Sequence, residues 1–199
     1  MNVVIIKYNA GNIYSVDYAL KRLGITPEIT SDKEKIQAAD RVIFPGQGEA
    51  SMTMQYLREH RMDRLIRDLK QPVLGICIGM QLLCRNSEEG GTECLGVFDV
   101  PVKRFLPERH EDKVPHMGWN NLTGVSTPLF DGTLENRFVY FVHSYYVPLN
   151  EYTAATTDYI LPFSAALHKD NFYATQFHPE KSGSVGERIL TNFLNIRNA

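Results

Sequence analysis

The stretch Val73-Leu74-Gly75-Ile76-Cys77-Ile78-Gly79-Met80-Gln81 runs from an apolar segment into the start of a helix. Val73 to Ile76 reads as a buried strand, and Gly79-Met80-Gln81-Leu82-Leu83 opens a helix, which leaves Cys77 on the turn between them. A sharp strand-to-helix turn thrusts its side chain out of the sheet, at the positive end of the helix. That end favours a thiolate, the attacking form of cysteine. Gly75 and Gly79 suit such a turn, because the crowded backbone leaves little room for a Cβ. An isolated cysteine at such a junction reads first as a core residue. The rest of the chain decides between the two.

Upstream, the pattern alternates. Val3 to Ile6 is a continuous apolar strand of the kind found inside parallel sheets. A turn through Asn9-Ala10-Gly11-Asn12 leads to a helix over 13–23, with Asn12 as N-cap and Gly24 as its stop. Thr26 to Thr30 is a short strand, Ser31 caps a helix reaching Ala39, and Arg41 to Phe44 is a third strand ending in Pro45-Gly46-Gln47-Gly48. A helical region over 50–69, broken near His60, precedes the strand at Val73. Strands alternating with helices predict an open, mostly parallel α/β sheet with flanking helices. The ligand crevice of such a sheet lies beyond the carboxyl ends of its strands, where both Cys77 and Pro45-Gly46-Gln47-Gly48 fall.

After Arg85 long helices stop. Asn86 to Gly91 reads as a polar loop, followed by β-like segments at 100–105, 119–122, 138–142, 145–147, 152–156, 165–168 and 172–177. They predict a smaller antiparallel or mixed β extension of the sheet. Ser182 to Arg197 closes the chain as a helix with Val185, Ile189, Phe193 and Ile196 facing inward. With no linker or repeat in 199 residues, one domain over 1–199 is expected.

Composition narrows the function classes. A net charge of -2 with no basic cluster argues against a nucleic-acid partner. The 43% hydrophobic content is enough for a sizeable core without staples. Cys77, Cys84 and Cys94 are odd in number and contain no C-x-x-C pair, so neither a disulfide framework nor a zinc ribbon is indicated. The first residues carry no signal-peptide pattern and no run approaches a membrane span, so a reduced, cytoplasmic, soluble protein is expected and the Asn121-Leu122-Thr123 sequon is incidental.

A cysteine nucleophile needs a base, and the base a third group to orient it. Gln176-Phe177-His178-Pro179-Glu180 supplies both: in extended backbone His178 and Glu180 point the same way. The glycines of Pro45-Gly46-Gln47-Gly48 free backbone N–H groups to face a developing oxyanion, joined by the N–H of Ile78. A phosphate loop is the weaker reading of that segment, because Ser51 stands where a third glycine would be and no lysine follows.

Together, Gly75-Ile76-Cys77-Ile78-Gly79-Met80-Gln81 and His178-Pro179-Glu180 resemble the class I (triad) glutamine amidotransferases, over the whole chain. The resemblance implies that Cys77 attacks the glutamine carboxamide to give a thioester and ammonia, with His178 as general base and acid and Glu180 orienting it. It implies an oxyanion hole of Gly46, Gln47, Gly48 and Ile78, substrate contacts from Gln81, Ser144 and Tyr145, and no cofactor or metal. Gln47 stands where family members often carry a small apolar residue; its donor is backbone, so catalysis is expected to survive. Tyr8-Asn9-Ala10-Gly11-Asn12, Pro115-His116-Met117-Gly118-Trp119-Asn120 and Tyr140-Phe141-Val142-His143-Ser144-Tyr145 look like the branch serving histidine biosynthesis. Its partner is a (β/α)8-barrel cyclase subunit that makes imidazole glycerol phosphate, and Trp119, Tyr140 and Lys181 would face it. Branches serving pyridoxal phosphate or anthranilate synthesis are the alternative, and the Pro-His-Met-Gly-Trp-Asn segment argues against them. His143 reads either as shaping the site through its backbone or as an ordinary strand end. His60, His110, His116 and His168 have no convergent acidic or cysteine partners and read as structural or solvent-facing.

Overall fold

The protein is described from a computed structural model that covers residues 1–8, 13–46 and 48–197. The turn 9–12, the cap assigned to Asn12 and the oxyanion role given to Gln47 lie outside the described residues. The first half holds strands β1 (Val3–Ile6), β2 (Glu28–Thr30), β3 (Arg41–Phe44) and β4 (Val73–Ile76) with helices α1 (Ile13–Arg22), α2 (Lys33–Ala38), α3 (Ala50–Glu59), α4 (Met62–Asp68) and α5 (Ile78–Leu83). The second half adds β5 (Cys84–Ser87), β6 (Thr92–Glu93), β7 (Phe98–Arg104), β8 (His116–Asn121), β9 (Phe138–His143), β10 (Tyr145–Tyr146), β11 (Thr153–Tyr159), β12 (Leu161–Lys169), β13 (Phe172–Thr175) and α6 (Gly183–Asn195).

The main sheet has the order β11-β12-β13-β4-β3-β1-β2. The pairs β1–β2, β1–β3, β3–β4 and β4–β13 are parallel, while β12 joins β13 and β11 joins β12 antiparallel. The apolar runs have a simple cause: both faces are covered. Ile5, Ile43, Leu74 and Ile76 pack on one side with Val16 and Leu20 of α1 and Ile189 and Phe193 of α6. Ile6, Val42, Phe44 and Val73 pack on the other with Ile36, Met54, Leu57 and Ile66. A strand buried on two faces has no use for alternation. No helix among the described residues is long and apolar enough to cross a membrane.

Several expectations shift. The second strand begins at Glu28, because Pro27 lacks the N–H a ladder needs. The cap of α2 is Asp32 rather than Ser31: its carboxylate accepts from the backbone N–H groups of Glu34 and Lys35 at 2.9 and 3.3 Å. Asn86 and Ser87 are not loop but the end of β5, registered against Glu93 and Thr92 of β6. The break near His60 is real, with Arg61 in left-handed backbone at φ 55° between α3 and α4. In the second half, β13 is not an appendage: it is the fifth parallel strand and lies directly beside β4. That adjacency carries residues 176–180 to the cysteine.

Beyond β13 the chain folds into a single 3-10 turn, Pro179–Lys181, on which α6 seats. Gly186 makes that contact possible, since a Cβ there would stand 1.8 Å from the Pro179 carbonyl oxygen. Alanine ordinarily gains about 1 kcal/mol over glycine inside a helix. A backbone clash of this kind outweighs it, at roughly 1–3 kcal/mol for overpacking. Gly186→Ala is therefore expected to lower the Tm by several degrees in thermal unfolding; an equal or higher Tm would contradict the seating described.

Candidate active site

The end of β4 is locked before the turn begins. Cys77 N–H donates to the Thr175 carbonyl of β13 at 2.8 Å, and the residue then takes φ 54°, ψ -108°. Positive φ on a side-chain-bearing residue costs on the order of 1–3 kcal/mol and persists only where its surroundings over-determine it. The surroundings do so here. A Cβ on Gly79 would sit 2.0 Å from the Phe44 carbonyl oxygen of β3, and one on Gly75 would meet Leu83 Cδ1 at 2.8 Å. The two glycines let α5 press on the strand ends, and Cys77 points out over them.

His178 arrives from β13. Its backbone N–H donates to the Tyr140 carbonyl at 2.9 Å, and its carbonyl accepts from Ser182 Oγ at 2.6 Å. The stretch between His178 and Glu180 is not extended, contrary to the sequence reading. Pro179 has the fixed φ that suits the first position of a helical turn, and the 3-10 turn brings the carboxylate round to the ring. His178 Nδ1 and Glu180 Oε1 are 2.8 Å apart and both side chains are almost wholly buried. Nδ1 is thereby engaged, and the buried Nε2 is the nitrogen left to face the sulfur. Burial alone would depress the imidazole; the Cys77 charge and hydrogen bond, then Glu180, overcome it and raise its pKa to about 10.

These groups open on a cleft of about 250 Å³ lined by Cys77, Ile78, Gly48, Gln81, Glu89, His178 and the segment 142–145. That is below the ~300–1,000 Å³ of sites for drug-sized ligands and suits a molecule of amino-acid size. Gly48 lies on the wall with φ 146°, whereas Gly46 lies behind it: a Cβ there would overlap Ile78 Cγ2 at 1.9 Å. Gln81, Ser144 and Tyr145 are all on the wall. The Gln81 amide nitrogen, however, donates to Gln176 Oε1 at 2.9 Å and to the Tyr145 carbonyl at 3.2 Å, so what it can offer a ligand is its carbonyl oxygen.

Trp119, Tyr140 and Lys181 are not in the cleft. Trp119 and Tyr140 are register partners on the β8–β9 hairpin, ring centroids 6.0 Å apart, and Trp119 is 56% exposed. Met117 and Phe138 extend the same exposed apolar face. Tyr140 is tied to the site by its backbone, since its carbonyl accepts from His178 and its N–H donates to Ser182 Oγ at 3.0 Å.

Three features escaped the sequence reading. Gln176 is fully buried and its amide nitrogen lies 3.7 Å from Cys77 Sγ. Its place two residues before His178 on a strand was the available signal. Glu89 is on the cleft wall, with Oε2 accepting from Ala50 N–H at 2.9 Å; its pKa is raised, by burial first. Nothing in a polar segment marks such a residue. The third is the partner of His116: of the two readings the structural one holds, since the ring is buried, and it meets His143 at 2.9 Å, a pairing the sequence reading did not anticipate.

A cysteine facing a cleft, with a buried histidine–carboxylate pair beside it at the strand ends of such a sheet, defines a class, and the chain belongs to it: the family model for glutamine amidotransferase class-I matches residues 4–196. The chain is 68% identical to "Imidazole glycerol phosphate synthase subunit HisH" of Bacteroides fragilis (strain YCH46), over 98% of this chain and 100% of that protein. It is 45% identical to the protein of the same name from Yersinia pestis, with the same coverage. Among solved structures, one described as a glutamine amidotransferase has a TM-score of 0.74 at 23% identity, covering 97% of both chains. PurLQS from Thermotoga maritima has a TM-score of 0.67 at 16% identity, covering 98% of this chain and 97% of the other.

The raised His178 has a definite sign in pH. A histidine raised above its ordinary ~6.5 contributes stability in full below that value and loses it as pH rises through the folded value, here about 10. NMR titration of the His178 ring is expected to show a midpoint well above 6.5, lowered by Glu180→Gln and lowered further by Cys77→Ala, the larger cause. A wild-type midpoint at or below the ordinary value would contradict the pairing.

Proposed function

We propose that the chain, residues 1–199 acting as one domain, is the glutaminase subunit of imidazole glycerol phosphate synthase. It hydrolyses glutamine to glutamate and ammonia. The ammonia passes to a cyclase subunit, a (β/α)8 barrel, which makes imidazole glycerol phosphate in histidine biosynthesis; the two form a cytoplasmic heterodimer. The observation that carries this reading is that Cys77 and His178 line one amino-acid-sized cleft with Glu180 bonded to His178 from behind, in a chain matched end to end by relatives of that name.

In the proposed reaction, the Cys77 sulfur attacks the side-chain carbonyl carbon of glutamine, and the C=O electron pair moves onto oxygen. The N–H of Ile78, with backbone from the Gly48 side, faces that oxyanion. His178 then gives its Nε2 proton to the amide nitrogen, the C–N bond breaks and ammonia leaves. Water adds to the thioester as His178 takes its proton, and breaking the C–S bond releases glutamate and restores the thiolate. Glu180 holds Nδ1 throughout, so Nε2 is the nitrogen that works. Glu89 is the only carboxylate among the described residues of the cleft wall and would pair with the α-ammonium group of the substrate, an arrival that offsets its burial.

A partner follows from the product. Ammonia in neutral water is mostly ammonium, which has no lone pair with which to attack, so a closed route between subunits preserves the nucleophile. The exposed face of Met117, Trp119 and Phe138, with Tyr140 and Lys181 beside it, supplies an apolar docking surface near the cleft. Trp119 and Tyr140 are anchors of the kind that dominate interface energies.

With the cyclase subunit present, Cys77→Ala is expected to abolish glutamine-driven synthesis and to leave synthesis from added ammonium salt intact. Loss of both would make Cys77 structural. Separately, Glu89→Gln is expected to raise KM for glutamine about tenfold or more, as for loss of a charge-assisted bond, with a smaller effect on kcat. An unchanged KM would remove Glu89 from the substrate site.

A further inference from the structure

Two buried histidines, one on the cleft wall and one behind it, have no role in the proposed reaction. His116 on β8 is 3% exposed and His143, the last residue of β9, is 5% exposed. His116 Nδ1 is 2.9 Å from His143 Nε2, and His143 Nδ1 is 2.7 Å from the Tyr145 carbonyl oxygen. Burial pushes His116 down to about 4. Burial, with the neighbouring His116 and His178 charges, holds His143 at about 3 despite the bond to Tyr145. Both rings are therefore neutral at pH 7.

Neutrality fixes the direction of the chain. A carbonyl only accepts, so His143 carries its proton on Nδ1 and presents Nε2 as an acceptor. His116 must then donate from Nδ1, which leaves its Nε2 to accept from the Asn120 amide, 3.5 Å away. The His116 ring cannot turn out of this arrangement. It is stacked between Tyr159 and Phe141, with centroids at 3.9 and 4.8 Å.

The end point matters. The Tyr145 carbonyl that receives the His143 proton is the same one that orients the Gln81 amide. Gln81 in turn donates to Gln176, whose own nitrogen lies 3.7 Å from the Cys77 sulfur. One backbone carbonyl thus joins the buried histidines to the cleft.

We propose that His116 and His143 are positioning residues: a one-way series of N–H donors, running from Asn120 to the Tyr145 carbonyl, that sets the 144–145 wall and the Gln81 amide for binding glutamine. The proposal rests on the cleft being the glutamine site. Asn120 follows Trp119 on β8 with its side chain on the opposite face of the hairpin, so the series starts one residue along the backbone from the proposed docking face and ends at the proposed substrate wall.

The test compares wild type, His116→Asn and His116→Leu, each in complex with the cyclase subunit. KM and kcat are measured for glutamine, and the rate of Cys77 alkylation by iodoacetamide is measured in parallel. Leucine keeps apolar bulk and removes the donor; asparagine keeps an N–H at the δ position. His116→Leu is expected to raise KM about 3- to 10-fold, the range for one buried hydrogen bond, with kcat and alkylation changed far less. His116→Asn is expected to restore KM. If leucine prevents folding, His116→Gln, which moves the donor from the δ to the ε position, takes its place with the same expectation. An unchanged KM in the leucine variant overturns the proposal, as does an equal rise in both variants, which would mean packing alone. A wild-type complex that does not hydrolyse glutamine overturns it through the function it rests on, and that outcome is separate from active wild type with an indifferent variant.

Discussion

A single backbone conformation governs this molecule. Cys77 is held at φ 54° at the end of β4, the middle strand of the mixed seven-stranded sheet, a state that costs on the order of 1–3 kcal/mol for any residue with a Cβ. The strain is sustained because the chain has nowhere to relax: β3 and β13 flank β4, the Cys77 N–H is bonded to Thr175, and Gly75 and Gly79 admit α5 against the strand ends. With so much of the sheet packed on both faces, the penalty is small beside the ~1.5–3 kcal/mol that each fully buried aliphatic or aromatic side chain contributes. A sulfur in this position is exposed to the cleft while its backbone stays buried.

The two halves of the chain meet at that sulfur. The first supplies Cys77 and the Gly48 wall. The second supplies His178 and Glu180 through β13, and the 142–145 wall through β9. Hydrogen bonds then knit the parts: Tyr140 to His178 and Ser182, His143 and Gln81 to Tyr145, Gln176 between Gln81 and Cys77. In the proposed complex, the hairpin that carries Trp119 touches both the strand leading to the substrate wall and the turn holding the base. Docking could therefore be felt at the reaction centre without any long-range rearrangement, since Tyr140 belongs to both surfaces.

The sheet was legible because burial on both faces leaves uninterrupted apolar runs, as at Val3–Ile6 and Val73–Ile76. The Cys77 turn was legible because only glycine fits at 75 and 79. The array around it was legible through side chains whose chemistry needs company. What escaped was decided by tertiary contact. Asp32 displaced Ser31 as a cap through the reach of its carboxylate. The 3-10 turn replaced an extended Pro179 because Ser182 and α6 close on it. The pairing of His116 with His143 was not legible because the two are 27 positions apart and meet only through the β8–β9 register. Glu89 had no pattern around it, and its place on the wall follows from the bond to Ala50.

The central claim is that one cysteine out of three is presented to a glutamine-shaped cleft while the other two are shut away. Cys84 and Cys94 are buried, and burial raises both thiols, Cys94 to about 12. The most direct measurement is mass spectrometry of the full-length protein after treatment with a chloroketone analogue of glutamine. The account predicts an adduct on the Cys77 peptide alone, prevented by excess glutamine. Labelling of Cys84 or Cys94 in the folded protein, or labelling of Cys77 that glutamine does not slow, would contradict it.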